Sequence, residues 1–135
     1  NLKTINGIEK VLDVLDEIGV PVCVGSNGPP NKMEVSLGVT GLKTRFEDRI
    51  FSADHVKSPK PAPDLYLFCA KKMNVDTQNC LVIEDSPRGA MAGIAAGMTV
   101  FGYAGSTNSG ALIDVGCAQV FYTMEELAEY LRRLY

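Results

Sequence analysis

The chain has 135 residues, 46% of them hydrophobic and 21% charged, with a formal net charge of −3. That length carries one domain with a real core, and the composition shows neither a low-complexity run nor a fixed repeat. The mild acidity argues against a nucleic-acid partner, and apolar runs such as "CLVI" (80–83) are far too short to span a membrane.

No basic stretch followed by an apolar run opens the chain, so a cytoplasmic location is expected. The four cysteines, Cys23, Cys69, Cys80 and Cys117, form no C-x-x-C pair, and three lie within apolar runs. They read as small core residues in a reducing compartment. His55, the single histidine, has no Cys or His at a ligand spacing and reads as a loop residue.

In chain order, residues 7–18 place Ile8, Val11, Leu12, Leu15 and Ile18 on one helical face, with Asn6 and Glu9 as a capping pair. "VPVCVG" (20–25) is continuously apolar, as expected of a strand buried on both faces. Pro29 and Pro30 suit a helix start. Residues 49–56 form a weaker strand and loop. Helical spacing returns at 62–73 with Leu65, Phe68, Cys69 and Met73. A clear strand follows at 80–84, then a helix with Ser86 as N-cap, Pro87 at its first position and Gly97 as its stop. Strands at 98–103 and 118–122 precede a last helix opened by a Thr123–Glu126 capping box. Strands alternating with helices of about 10–12 residues predict an α/β fold, a Rossmann-like parallel sheet flanked by helices. In such sheets ligands bind at the carboxyl ends of the strands.

Three strand-to-loop junctions therefore matter. At the first, Ser26, Asn27 and Gly28 offer a hydroxyl and backbone N–H groups that can cradle a phosphate; an ordinary Asn-Gly turn is the plainer reading. At the second, Pro59, Pro61 and Pro63 stiffen the loop that carries Lys60. A lysine so held can present its charge to phosphate, or simply be solvated. At the third, Glu84 and Asp85 end an apolar strand. Adjacent carboxylates there repel and lose solvation, so a positive partner is expected. An oxygen-only pair suits Mg²⁺; a capping role for Asp85 would leave Glu84 unexplained.

The blocks "VGSNGPPNKM", "KSPKPAPDLYLFCAKKMNV" and "CLVIEDSPRGAMAGIAAGMTVFGYAG" resemble the second, third and fourth motifs of the haloacid dehalogenase superfamily, in its sugar-phosphate phosphatase and β-phosphoglucomutase-like branch. The resemblance runs from about residue 5 to residue 133 and implies a HAD-like core. It implies that Ser26, the Asn27 backbone N–H and the Gly28 turn hold the transferred phosphoryl group. Lys60 would neutralise nucleophile and phosphate, and Glu84 and Asp85 would hold Mg²⁺. Family members also carry a D-x-D-x-[TV] strand, whose first Asp forms an aspartyl phosphate, followed by a helical cap. Neither occurs in these 135 residues.

The expected organisation is thus residues 1–135 as a HAD-like core lacking its first strand and cap, partnered by a complementing N-terminal segment that bears the nucleophile. The strand would lie between those bearing Ser26 and Asp85. The expected function is Mg²⁺-dependent hydrolysis of a small phosphorylated metabolite, a sugar phosphate or sugar-acid phosphate, with this segment inactive alone. A phosphomutase of the same family and a non-catalytic phosphoryl- or protein-binding module are the alternatives. No nucleic-acid or membrane partner is expected.

Overall fold

The computed structural model describes residues 8–26, 50–52, 56–104 and 109–134. Helix α1 (Ile8–Glu17) buries Val11, Leu12, Val14 and Leu15 and exposes Glu9, Lys10, Asp13, Asp16 and Glu17. It is closed by Gly19, which has φ +75, and by the Val20 N–H donating back to the Leu15 carbonyl at 2.9 Å. Such a left-handed residue after the last turn is where glycine is favoured. Asn6, the expected cap, lies outside the described residues.

Strand β1 is Val24–Ser26, shorter and later than the 20–25 run suggests. Pro21 has no N–H for a ladder, and the apolar residues before β1 stay outside it. β2 (Ile50–Ser52) pairs with β1 in parallel, setting Val24 opposite Ile50, Gly25 opposite Phe51 and Ser26 opposite Ser52. The helix start expected at Pro29 and Pro30, and His55, lie outside the described residues.

Helix α2 (Asp64–Met73) follows Pro63 and ends at Asn74, which is left-handed at φ 58. A single 3-10 turn (Thr77–Asn79) leads into β3 (Leu81–Glu84). Helix α3 (Pro87–Ala95) starts as its sequence asks: the Ser86 hydroxyl accepts the Gly89 N–H at 3.1 Å, with Pro87 in the first turn. It stops at Gly97, φ +83, where the Met98 N–H returns to the Gly93 carbonyl at 3.1 Å. β4 (Thr99–Tyr103), α4 (Ser109–Val115), β5 (Gln119–Phe121) and α5 (Met124–Leu134) complete the described chain. The capping box on α5 is formed reciprocally. The Glu126 N–H donates to Thr123 Oγ1 at 3.1 Å, and the Thr123 N–H donates to Glu126 Oε1 at 3.2 Å.

All strand pairs are parallel. β3, β4 and β5 form one sheet in that order, and β1 and β2 form a second. Among the described residues, β1 ladders only with β2, and β3 only with β4. The strands bearing Ser26 and Glu84 are therefore not hydrogen-bonded to each other.

Side chains alternate across the sheet with the strand period of two. Val82 and Val100 face a cluster with Leu65, Tyr66, Cys69, Ala90, Ala92 and Leu112, from α2, α3 and α4. Leu81, Ile83, Phe101, Tyr103 and Phe121 face a second cluster with Val11, Val14, Leu15, Met124, Leu127 and Leu131, from α1 and α5. The result is three layers, helix–sheet–helix, the α/β architecture read from the alternation.

Candidate active site

β3 carries the apolar run Leu81–Ile83 and ends on Glu84, of which only 8% is exposed. A buried carboxylate needs donors and opposite charge, and Glu84 has both. The Lys60 ammonium lies 2.5 Å from Glu84 Oε2, and the Tyr66 hydroxyl donates to the same oxygen. The Ser86 hydroxyl stands 3.4 Å from Oε1. The carboxylate also lies against the first turn of α3, whose N-terminal dipole favours negative charge.

Gly89 makes that placement possible. A Cβ there would sit 2.0 Å from Glu84 Cδ and 2.1 Å from Oε1, so any other residue would push the carboxylate out of this position. A second glycine on the same helix does the equivalent for the core: a Cβ on Gly93 would stand 2.7 Å from Val100 Cγ2. Glycine and alanine dominate α3 because the helix lies directly on the sheet and on Glu84.

Lys60 comes from the proline-stiffened loop before α2, and its side chain is 12% exposed. Besides Glu84, its ammonium donates to the Gly25 carbonyl of β1 at 3.1 Å and stands 4.9 Å from the centroid of the Tyr66 ring. One ammonium thus bridges the end of β1 to the end of β3 across the two sheets. Ser26 is the last residue of β1, next to that carbonyl, and Asp85 follows Glu84 directly and is exposed.

The structure thus brings Lys60 together with Glu84 and with the strand end that carries Ser26. Asn27 and Gly28 lie outside the described residues. Two contributors were not singled out from sequence. Tyr66 sits in the buried stripe of α2, and a buried tyrosine hydroxyl generally finds a polar partner, which is the signal that could have pointed to it. Gly89 lies within the "EDSPRG" block, but its role depends on how closely Glu84 approaches α3, which spacing alone does not give.

Burial, followed by the nearby Glu84 charge, pushes the Tyr66 phenol far above its ordinary value, so the group remains a donor. The four cysteines are free. A hydrogen bond with Cys23, reinforced by burial, pushes the Cys69 thiol far up, and burial raises Cys80 and Cys117. Protonated thiols are poor nucleophiles, so the core reading of these residues fits their surroundings.

As for a metal, no three His, Cys, Asp or Glu side chains converge among the described residues. Asp85 and Glu84 offer oxygen donors, the chemistry a hard cation selects. Mg²⁺ usually needs only one or two carboxylates from protein, with waters and phosphate oxygens completing the shell. Glu84 Oε2 is occupied by Lys60 and Tyr66. Asp85 and Glu84 Oε1 are therefore the donors that fit. Among the described residues no helix is long and apolar enough to cross a membrane.

The haloacid dehalogenase-like hydrolase family matches residues 1–97. The chain is 43% identical over 97 residues to the 6-phosphogluconate phosphatase of Escherichia coli, covering 72% of this chain and 44% of that protein. It is 44% identical over 78 residues to the fructose-1-phosphate phosphatase of the same organism, covering 58% of this chain and 41% of the relative. Among solved structures, a HAD family hydrolase from Deinococcus radiodurans with bound phosphate and sodium superimposes with a TM-score of 0.89 at 35% identity. That match covers 96% of this chain and 59% of the other. The chain thus spans less than half the length of the two curated relatives.

Proposed function

This chain belongs to the haloacid dehalogenase-like hydrolase family, and we propose that it supplies the phosphate-neutralising and cation-holding part of a Mg²⁺-dependent phosphatase. The observation that carries the proposal is the Lys60 ammonium, fixed between the Gly25 carbonyl and Glu84 at the ends of β1 and β3. A phosphoryl group at that rim would meet Lys60 and the strand end that carries Ser26, and the family resemblance adds Asn27 and Gly28 to its binders. Lys60 offsets the negative charge that builds up on the oxygens during transfer. Asp85, with Glu84 Oε1, would hold Mg²⁺, which supplies further charge neutralisation when bound. The net reaction is ROPO₃²⁻ + H₂O → ROH + HPO₄²⁻.

The substrate class is a small phosphorylated sugar or sugar acid, supported by the two curated relatives, whose names give 6-phosphogluconate and fructose 1-phosphate. The bound phosphate of the Deinococcus hydrolase supports a phosphate site on this fold. Because these 135 residues contain no D-x-D-x-[TV], we place the attacking carboxylate, with any helical cap, on residues outside them. The chain alone is then expected to bind phosphate without turning it over. A cytoplasmic location is part of the same reading.

Phosphate release from 6-phosphogluconate and fructose 1-phosphate, measured with the nucleophile segment present, tests this. Asp85→Asn is expected to abolish Mg²⁺-dependent turnover, and chelation by EDTA should do the same. Turnover that survives Asp85→Asn at saturating Mg²⁺ removes Asp85 from the cation site. Inorganic phosphate that binds the 135-residue chain equally well after Lys60→Ala removes Lys60 from the phosphate site.

A further inference from the structure

We propose that Tyr66 is a positioning residue for this site: its hydroxyl fixes Glu84 Oε2, and through that oxygen it fixes the place of the Lys60 ammonium. The inference rests on reading Lys60 as the phosphate-neutralising cation, and it concerns a residue six positions further along the chain, in the first turn of α2.

Lys60 and Tyr66 both reach Oε2 rather than one oxygen each, so the hydroxyl and the ammonium share a single anchor. The Tyr66 ring also lies beneath the ammonium, 4.9 Å from it, where its π face attracts a cation. One side chain thereby touches both members of the ion pair. Phenylalanine would fill the same apolar volume against Cys69 and Leu65, and it would avoid burying a hydroxyl, which is unfavourable unless bonded. The hydroxyl therefore contributes direction rather than packing.

Glu84 has three rotatable side-chain bonds. Ser86 Oγ, at 3.4 Å from Oε1, is a long contact, and Gly89 offers clearance but no bond. Without the phenol, Oε2 is held by Lys60 alone, and the pair keeps the Gly25 carbonyl as an anchor on the Lys60 side but loses the one on the carboxylate side.

The test uses the purified 135-residue chain with lysines ¹³C-labelled at Cε. In the wild type, Lys60 Hε is expected upfield under the Tyr66 ring current, with cross-relaxation to that ring; a wild type without these signals overturns the proposal. Tyr66→Phe keeps the ring and removes the hydroxyl. It is expected to weaken both signals, to leave the melting temperature within a few degrees, and to lower affinity for inorganic phosphate about tenfold, the effect of one hydrogen bond to a charged group. Unmoved Lys60 signals in Tyr66→Phe overturn the proposal. Displaced Lys60 with unchanged phosphate affinity upholds Tyr66 as the positioning residue and sinks the phosphate role of Lys60 instead. Should Tyr66→Phe not fold, 4-aminophenylalanine and 4-methylphenylalanine at position 66 make the same comparison. The amine, which retains a donor, should hold Lys60 and the methyl should release it; Lys60 in place in both overturns the proposal.

Discussion

The two faces of the sheet solve opposite problems. On the α1–α5 face, Leu127 and Leu131 are fully buried, and Phe101, Phe121 and Tyr130 meet edge to face at centroid distances of 5.2–5.7 Å. Its charges stay at the rim: Lys10–Glu125 at 3.6 Å and Arg132–Glu17 at 3.4 Å, with all four side chains more than half exposed. On the face that carries α2 and α3, a carboxylate and an ammonium are taken out of water at the edge of the core. Burying a Leu side chain gives about 1.5–3 kcal/mol, whereas a buried ion pair generally repays little more than its own desolvation. Both faces bury an apolar cluster, but only the second also keeps a buried charge aimed.

That contrast is open to direct attack. The largest effect is expected from Glu84→Ala, which leaves Lys60 buried without its counter-ion and should lower stability by about 3–5 kcal/mol in urea unfolding. The double replacement Lys60→Met with Glu84→Leu sharpens the point. It should recover most of that stability while phosphate binding stays lost, and a double variant as unstable as Glu84→Ala would show that the pair holds the fold. On the opposite face, Leu131→Ala should cost about 2–5 kcal/mol with phosphate affinity unchanged in the folded fraction; a specific loss of affinity would break the division between the faces. Gly89→Ala is expected to cost about 1–3 kcal/mol through overpacking and to weaken phosphate binding, both read from one titration series. The smallest effect belongs to Arg132→Ala, within about 0.5 kcal/mol and vanishing at high salt. A larger, salt-resistant loss would mean that the rim charges contribute to the fold.

Much of this was legible in the chain because it is local. The Thr123–Glu126 box, the Ser86 cap with Pro87, and the stop at Gly97 each depend on residues within four positions of one another, and each is formed as written. The alternation of strand and helix gave the parallel α/β class for the same reason. Helix α4 was not read, because seven residues around one fully buried side chain, Leu112, are too few to show a period. The β1 boundary shifted because continuous apolarity marks burial but not where a ladder begins. At the site, carboxylates at a buried strand end call for a positive partner, and Lys60 stands there. The phenol that shares that oxygen was hidden, since a tyrosine in an apolar stripe looks like any other core residue until the fold sets its tip against a charge.

The two glycines of α3, Gly89 and Gly93, stand four positions apart, one turn on the same side of the helix. In an engineer's terms the spacing between helix and sheet is a running clearance set at both points by a hydrogen atom. A methyl group at either point would tilt one shaft, so fit at the core and aim at the rim are machined to a common tolerance. Attempts to stiffen α3 by the usual glycine-to-alanine exchange would therefore misalign the site even where the helix itself became more regular.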